Sequence, residues 1–585
     1  MPKLLFITET PNEPNLDWFI SMGGFSKQDY EIITICARQV RDFRAFYKDK
    51  KCTKPTDELR ELWTSASLRA NEIGANVTVP LGQNALKAVT DKDSILKWRG
   101  SIIATNWGSK CIPTLHPNDL LKSNMALEII IRRDFRKVKS ENWFPQIVLP
   151  KRNFIIGPNM EDVREYFEKI RQIGHTSVDI ETQYYKEISC IGFSCEASSA
   201  ICIPFRDAGG KWWYGSQEDE VRGLIADILG DPQIGIRGQN LHYDWSYLKR
   251  AGYGVRGFEF DTMVAQHSAW PELDKSLAFL ASFYTKEPYW KDDGKDWKQV
   301  KDFPRLWQYN ATDVAVTEEL VETLKSEIKS QGVEQTFNEE MRLVPIFMDQ
   351  TLRGIKFNTQ LRDSLKKDVT AELKSLQIEF DAYLPSTWGC KKCKGVGEVG
   401  KNTIRECPKC AGTGVLAIRP KKIKKVKKGD QVDATAVSVN ASTPPEFPIR
   451  TCSRCDGTGR IGKSTIKECP VCKGAKKAIN LSSPTQVKEV LAQLKFPSMT
   501  KRNTGKETSD IESLKKLTAK FPSRKELDIL LAYAEKAQEL KFLKTKIDPD
   551  GRIRTTLACN TETGRLNSKS SPFGTGTNLQ NIKRR

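Results

Sequence analysis

The feature that most constrains this chain is a duplication. CKKCKGVGEVGKNTIRECPKC, beginning at Cys390, returns as CSRCDGTGRIGKSTIKECPVC, beginning at Cys452. Thirteen residues separate Cys393 from Cys407, and thirteen separate Cys455 from Cys469. Each copy offers four thiols: Cys390, Cys393, Cys407 and Cys410 in the first, and Cys452, Cys455, Cys469 and Cys472 in the second. Four thiolates close a tetrahedral structural site, so the pattern predicts two Zn2+ ions and no metal catalysis there. The linker RPKKIKKVKKGDQVDATAVSVNASTPPEFPIR, basic and then rich in Pro, Ser and Thr, is not built to pack a core. The other seven of the 15 cysteines are scattered, which fits metal binding in a reducing cytosol better than a disulfide framework.

A chain of 585 residues is too long for one core. Hydropathy patterning predicts a multidomain α/β protein. Residues 1–150 and 151–335 each alternate short apolar strands with helices, and 336–388 turns helical. The duplicated module occupies 389–477, helices return over 478–546, and a strand followed by a polar segment fills 547–585. With 93 Lys and Arg against 73 Asp and Glu the net charge is +20, which favours a polyanionic partner through counterion release. Nucleic acid is the first expectation and an acidic membrane surface the second. No apolar run approaches the roughly 18 residues of a membrane helix, and MPKLLFITET is too short for a signal peptide. A cytoplasmic location is expected, in a host cytoplasm if the protein is viral.

Three acidic motifs lie in the second unit. In TSVDIET, Asp179 and Glu181 are two apart in an apolar strand, so both carboxylates leave one face and repel unless a cation lies between them. GQNLHYDWSYLKRAG sets Asp244 one helical turn after Asn240, and YNATDVAVTEEL sets Asp313 one turn after Tyr309. Each motif alone is an ordinary surface arrangement. In this order and spacing they resemble the ribonuclease H-like 3′-to-5′ exonuclease fold of proofreading DNA polymerases, in the version whose third motif carries Tyr. The resemblance implies that Asp179, Glu181, Asp244 and Asp313 hold two Mg2+ or Mn2+ ions and that Tyr309 orients the attacking water. It also places Asn240 beside the single-stranded 3′ end. Asp261, in FEFDTMVAQ, is expected to be a structural hydrogen-bond acceptor.

EEMRLVPIFMDQTLRGIKFNTQL resembles the start of the polymerase region of family A DNA polymerases, and NLSSPTQVKEVLAQL the start of their thumb. TETGRLNSKSSPFGTGTNLQNIKRR is similar to that family's first polymerase motif, with SSPFGTGT inserted between its halves and Lys583 where the family has Pro. The resemblance implies that Arg565, Asn578, Gln580 and Asn581 contact the primer-template. The family's nucleotidyl-transfer carboxylates follow this motif. Polymerisation is therefore expected to need palm and fingers from a second polypeptide, unless the chain is a truncated product.

The knuckles CKKCKGVG, CPKCAGTG and CSRCDGTG resemble the CxxCxGxG repeats of J-domain co-chaperones, whose pairs interleave. Duplication of the halves favours one zinc per half here. VTVPLGQNALKAV, KWRG and CIPTLHPNDLL resemble the uracil-DNA glycosylase fold, with His116 at its second catalytic motif. The first motif reads TETPN, keeping Glu9 and Pro11 but neither glycine, which favours a DNA-binding or docking domain over active base excision. The whole looks like the amino-terminal part of a bacteriophage replicative polymerase. A free-standing 3′ exonuclease and a non-catalytic DNA-binding scaffold are the alternatives, and the complete acidic set argues against the scaffold.

Overall fold

The computed structural model describes residues 4–11, 13, 15–36, 43–49, 52–120, 125–183, 187–293, 302–384, 479–501 and 505–581, with short segments between 398 and 468. Two compact units result, Met1–Phe357 with Thr545–Arg585, and Asn358–Lys544. Among the described residues no helix is long and apolar enough to cross a membrane.

The first unit opens with β1 (Leu4–Thr8), α1 (Leu16–Ser21), β2 (Tyr30–Thr34), α2 (Asp57–Ile73), β3 (Val77–Pro80), α3 (Gln83–Val89) and α4 (Ile95–Trp98). It continues through β4 (Ile103–Ala104), β5 (Lys110–Cys111), α5 (Pro117–Leu120) and α6 (Met125–Glu141). The strands form a sheet in the order β2-β1-β3-β5-β4, parallel except at β4. β1 is buried throughout and apolar from Leu4 to Ile7 because both its faces are covered. Leu4 and Phe6 meet α1 and α6, and Leu5 and Ile7 meet α2 and α3.

A six-stranded mixed sheet follows. Its elements are β6 (Asn153–Ile156), α7 (Met160–Ile173), β7 (His175–Gln183), β8 (Glu187–Glu196), β9 (Ser199–Pro204) and the small hairpin β10 (Arg206–Asp207) and β11 (Gly210–Lys211). Then come α8 (Ser216–Gly230), β12 (Gly235–Gly238), α9 (Leu241–Arg250), β13 (Phe258–Asp261), α10 (Thr262–Ala269), α11 (Leu277–Tyr284) and α12 (Phe303–Gln331). The order is β13-β12-β7-β8-β9-β6, with an antiparallel meander β7-β8-β9 at its centre. Period-two alternation divides the faces. Val178, Ile180, Ile191 and Phe193 pack on α7, α8 and α9, where Phe167 meets Phe193 edge to face at 5.0 Å. Each such side chain, fully buried, contributes about 1.5–3 kcal/mol. Cys190 and Cys202 lie on the other face against Leu306, Ala311 and Val314 of α12. The first sheet's domain is fastened to this one through polar groups: Lys137 donates to the carbonyls of Gly100, Ser282 and Thr285 at 2.7, 2.6 and 2.7 Å, and Arg99, paired with Asp134, donates to Ser282 Oγ at 3.0 Å. α13 (Glu334–Arg353) and β14 (Ile355–Lys356) complete this stretch.

The second unit is helical. α14 (Thr359–Asp381) buries Val369, Leu373 and Phe380 against residues of α15 (Pro484–Gln493), α16 (Ile511–Lys520) and α17 (Lys525–Leu543), among them Val490, Leu514, Leu527 and Leu530. Asn358, Ser483 and Asp510 cap three of these helices with side-chain acceptors. All eight paired cysteines lie outside the described residues. The strands described around them are β15 (Glu398–Val399), β16 (Arg405–Glu406), β17 (Val415–Ala417), β18 (Ile449–Thr451), β19 (Arg460–Ile461) and β20 (Lys467–Glu468). They pair antiparallel between the copies, β15 with β20, β16 with β19 and β17 with β18. The expectation of one zinc per half falls on the paired cysteines and so lies outside the described residues.

The chain returns to the first unit through β21 (Arg552–Ile553), paired with β14, and a hairpin of β22 (Thr555–Ala558) and β23 (Asn567–Ser570). The SSPFGTGT insertion follows, and it accounts for its own presence. Ser571 and Thr575 close a turn in which Gly574 and Gly576 take left-handed φ of 69° and 73°. The turn projects Phe573, 8% exposed, into the core beside α9. Its ring meets Tyr247 at 5.2 Å and lies under the Arg250 guanidinium at 3.1 Å, while Tyr247 Oη donates to Pro572 O at 3.0 Å. Thr351 of α13 donates to Thr555 O at 2.9 Å. Phe573→Ala is expected to release this fastening at a cost of about 3 kcal/mol, so that amides of β22 exchange with deuterium about 100-fold faster, as read by hydrogen-exchange mass spectrometry.

Candidate functional site

Asp179 and Glu181 leave β7 on the face that carries α12. Opposite Asp179 in the ladder is Gly192, and opposite Glu181 is Cys190. The glycine has a steric reason. A Cβ there would lie 2.5 Å from Asn310 Oδ1, so only glycine lets α12 approach closely enough for Asn310 Nδ2 to donate to Asp179 Oδ2 at 2.8 Å. A bulge between Glu181 and Thr182 ends the regular register just past the acids. α12 starts at an Asp302 cap with proline in its first turn and stops at a left-handed Gly332. It carries Tyr309, Asn310 and Asp313 to the same spot. One oxygen each of Asp179, Glu181 and Asp313 lie within 4.8 Å of one another.

Asp244 sits behind this group, 3% exposed, on α9. Its Oδ1 accepts the backbone N–H of Ile180 at 3.0 Å, between the two acids of β7. Asn240 is not on that helix's face. It is the residue before the first turn, in the left-handed conformation at φ 58°, so the one-turn spacing to Asp244 has no meaning there. Its N–H donates to Asp261 Oδ1 at 3.0 Å, and Asp261 also accepts from the N–H groups of Leu241 and Met263, both at 2.8 Å.

Three further residues belong to the site without having been singled out in the sequence. Asn310 shares the Asp313 side of α12 at i, i+3, a spacing that could have been read. Trp290 and Lys291 come from the segment between α11 and α12, where no periodicity marks them. Trp290 Nε1 donates to Asp313 Oδ1 at 2.7 Å. Lys291 pairs with Asp313 Oδ2 and donates to Tyr309 Oη at 2.9 Å.

The electrostatics follow from the crowding. Burial, and then the Asp313 charge, push the Asp179 carboxyl up to about 7, against the pull of Lys291 and the Asn310 amide. Glu181 is raised by burial and by Asp179 and Asp313, and Asp244 by burial and Asp179. Burial and the neighbouring acids raise the Tyr309 phenol, which stays protonated. A set of hard oxygen donors, Asp244 and Asp313 buried and Asp179 and Glu181 half-buried, that resist ionisation for want of positive charge fits Mg2+ or Mn2+.

The terminal residues lie elsewhere. Arg565 is exposed at the tip of the hairpin. Asn578 Oδ1 accepts the Gln580 N–H at 2.9 Å and Gln580 Nε2 donates to Leu566 O at 2.6 Å, so both side chains hold the final turn, Leu579–Asn581, on the hairpin. In the first domain Glu9 and His116 follow β1 and β5. Asn84 donates to Glu9 Oε1 through N–H at 3.2 Å and Nδ2 at 2.9 Å, and His116 Nε2 is 3.6 Å from Glu13, a residue the motifs did not mark.

Comparison with known families places one segment. Residues 157–329 match the family model described as 3′-5′ exonuclease. This segment is a 3′-5′ exonuclease domain related to that of family A DNA polymerases. Among solved structures, the chain is similar to the polymerase domain of Pol1 from M. smegmatis in complex with DNA primer-template and dNTP, at 16% identity and a TM-score of 0.46, covering 74% of this chain. The chain spans 56% of that structure's length. Brucella melitensis NrnC with bound Mg2+ matches at 17% identity and a TM-score of 0.27, over 36% of this chain and 95% of that one. RNase D of Escherichia coli, an exoribonuclease involved in structured RNA processing, matches at 16% and 0.27, over 38% and 55%.

The raised carboxyls set a pH dependence. A carboxyl whose folded pKa lies above its unfolded value stabilises the fold below the unfolded value, and loses that contribution as pH rises through the folded one. For Asp179 the window runs from about 4 to about 7. Chelated protein is therefore expected to melt at progressively lower temperature from about pH 4 to about pH 7, with a flatter profile for Asp179→Asn, and Mn2+ is expected to raise the melting temperature more at the alkaline end.

Proposed function

We propose that this chain is the proofreading exonuclease and DNA-binding part of a family A replicative DNA polymerase, removing mononucleotides from single-stranded 3′ ends. One observation carries the reading: Asp179, Glu181 and Asp313 converge inside the segment that matches the exonuclease family. In it Asp179, Glu181, Asp244 and Asp313 hold two divalent ions. When bound, such ions activate water and stabilise charge on the phosphate and the leaving 3′ oxygen. The protein's own groups position the reactants. Tyr309, protonated and anchored by Lys291, directs its hydroxyl at the water that attacks phosphorus. Asn310 keeps Asp179 turned toward its partners. Asp244, tied to the Ile180 N–H, fixes the strand between the two acids of β7.

Arg565 is the residue of the terminal segment best placed to meet a primer-template phosphate, being exposed. Asn578 and Gln580 contribute by holding the turn beside it, and Asn581 is a further primer-template contact. Template-directed synthesis further requires palm carboxylates and a fingers element, on this polypeptide or a second. The first domain serves as a docking domain, fastened to α11 through Lys137 and Arg99. The duplicated module binds two structural Zn2+ ions, built between the copies: the first CxxC pair with the fourth, the second with the third.

Purified chain with Mg2+ is expected to digest 3′ single strands. Asp179→Ala or Asp313→Ala should lower the rate by at least about 10³-fold while single-strand binding, read by fluorescence anisotropy, is kept. Cleavage that survives Asp179→Ala/Glu181→Ala would falsify the assignment. For zinc, Cys390→Ser and Cys469→Ser should each remove one ion, and the double variant should still retain the other, as read by elemental analysis. Loss of both from the double variant would favour one ion per copy.

A further inference from the structure

The acidic site contains a cation of its own. Lys291 pairs with Asp313, donates to the Tyr309 hydroxyl at 2.9 Å, and sits 4.7 Å from the centre of the Tyr309 ring. It is also the attractive charge felt by both Asp179 and Glu181. The remaining oxygen of Asp313 is taken by Trp290 Nε1. Both oxygens of Asp313 are therefore engaged by two adjacent residues of one segment, and a divalent ion that ligates Asp313 competes with the ammonium for Oδ2.

Charge counting says what the released ammonium is for. Four carboxylates carry four negative charges, and two divalent ions cancel them. The phosphodiester brings a further negative charge, and attack by water builds another on the phosphoryl oxygens. The ions leave no surplus to meet it. Lys291 is anchored on the Tyr309 hydroxyl, the group that the exonuclease reading sets beside the attacking water, where that charge would develop. Its side chain is 21% exposed, so it is open to solvent rather than sealed inside the site.

We propose that Lys291 is a further functional residue of the exonuclease site: it neutralises Asp313 while no metal is bound, yields that oxygen to the ion, and then meets the scissile phosphate beside Tyr309. This rests on the exonuclease reading. The test uses the full chain as wild type, Lys291→Met, which keeps the stem and removes the charge, and Lys291→Arg, which keeps the charge. Mn2+ binding is titrated by electron paramagnetic resonance without DNA, and digestion of a labelled single strand is followed at saturating Mg2+. Removing a competing cation should tighten Mn2+ binding by Lys291→Met about tenfold. Removing a donor to the phosphate should slow digestion about 100-fold at saturating metal, with KM for the strand within about threefold of wild type. Lys291→Arg should digest within about tenfold of wild type. Unchanged Mn2+ affinity in Lys291→Met overturns the proposal, as does digestion that matches wild type or is restored by excess metal. If wild type itself digests nothing, or Asp179→Ala digests equally well, the exonuclease reading fails, and the Mn2+ titration still decides whether Lys291 guards the site.

Discussion

Three carboxylates within 4.8 Å of one another, two half-buried and one buried between a sheet and a helix, are the constraint around which the first unit is arranged. Like charges so placed cost several kcal/mol unless protons, hydrogen bonds or cations offset them. Each neighbour answers that cost in a different way. Gly192 removes a side chain so that α12 can close, Asn310 donates to Asp179, the Ile180 N–H donates to Asp244, and Lys291 supplies charge. None of these groups makes sense as packing alone. A glycine in the middle of a central strand weakens it, and a buried asparagine and a part-buried lysine each carry a desolvation penalty.

Two short-range periodicities put Asp179 with Glu181 and Tyr309 with Asp313 on common faces, but only the order and spacing of all three motifs, Asp244 included, marked the acids as a set. Period two sends Asp179 and Glu181 from β7 together, and one helical turn joins Tyr309 to Asp313. Asn240 was misread for a reason also present in the sequence. Asparagine is among the residues most readily left-handed and most favoured just before a helix, and GQN ahead of LHYDW marks a helix beginning at Leu241 rather than one running through it. Lys291 and Trp290 were not legible at all. Their positions depend on how a connection between α11 and α12 folds back over the sheet, and no periodicity encodes a loop's path.

The terminal segment shows the same limit from the other side. SSPFGTGT reads as a departure from a motif, and composition marks it only as a turn. Its meaning lies in a partner more than 300 residues earlier: Tyr247 and Arg250, on the helix that also carries Asp244, enclose Phe573. Tyr243, one turn before Tyr247 on α9, bonds Thr182 beside Glu181 at 2.7 Å. Hairpin, helix and acidic strand are thus joined by contiguous contacts, and the insertion adds a hydrophobic anchor where a shorter connection between β23 and the final turn has none.

Pairing between the two cysteine copies could not have been read from their likeness. When two segments are near-identical, a strand that fits its own copy fits the other equally well, and register carries no preference. Geometry outside the repeat then decides. A hairpin within one copy would join β15 to β16 across the five residues between Val399 and Arg405, and leave β19 and β20 to do likewise. The ladder instead nests, with β17 against β18 next to the linker, β16 against β19 beyond it, and β15 against β20 at the far end. Nested pairing needs both copies at once, so neither half closes without the other. An insertion into a helical unit is best tolerated when its two ends lie side by side, and nesting brings the first strand and the last strand of the module together.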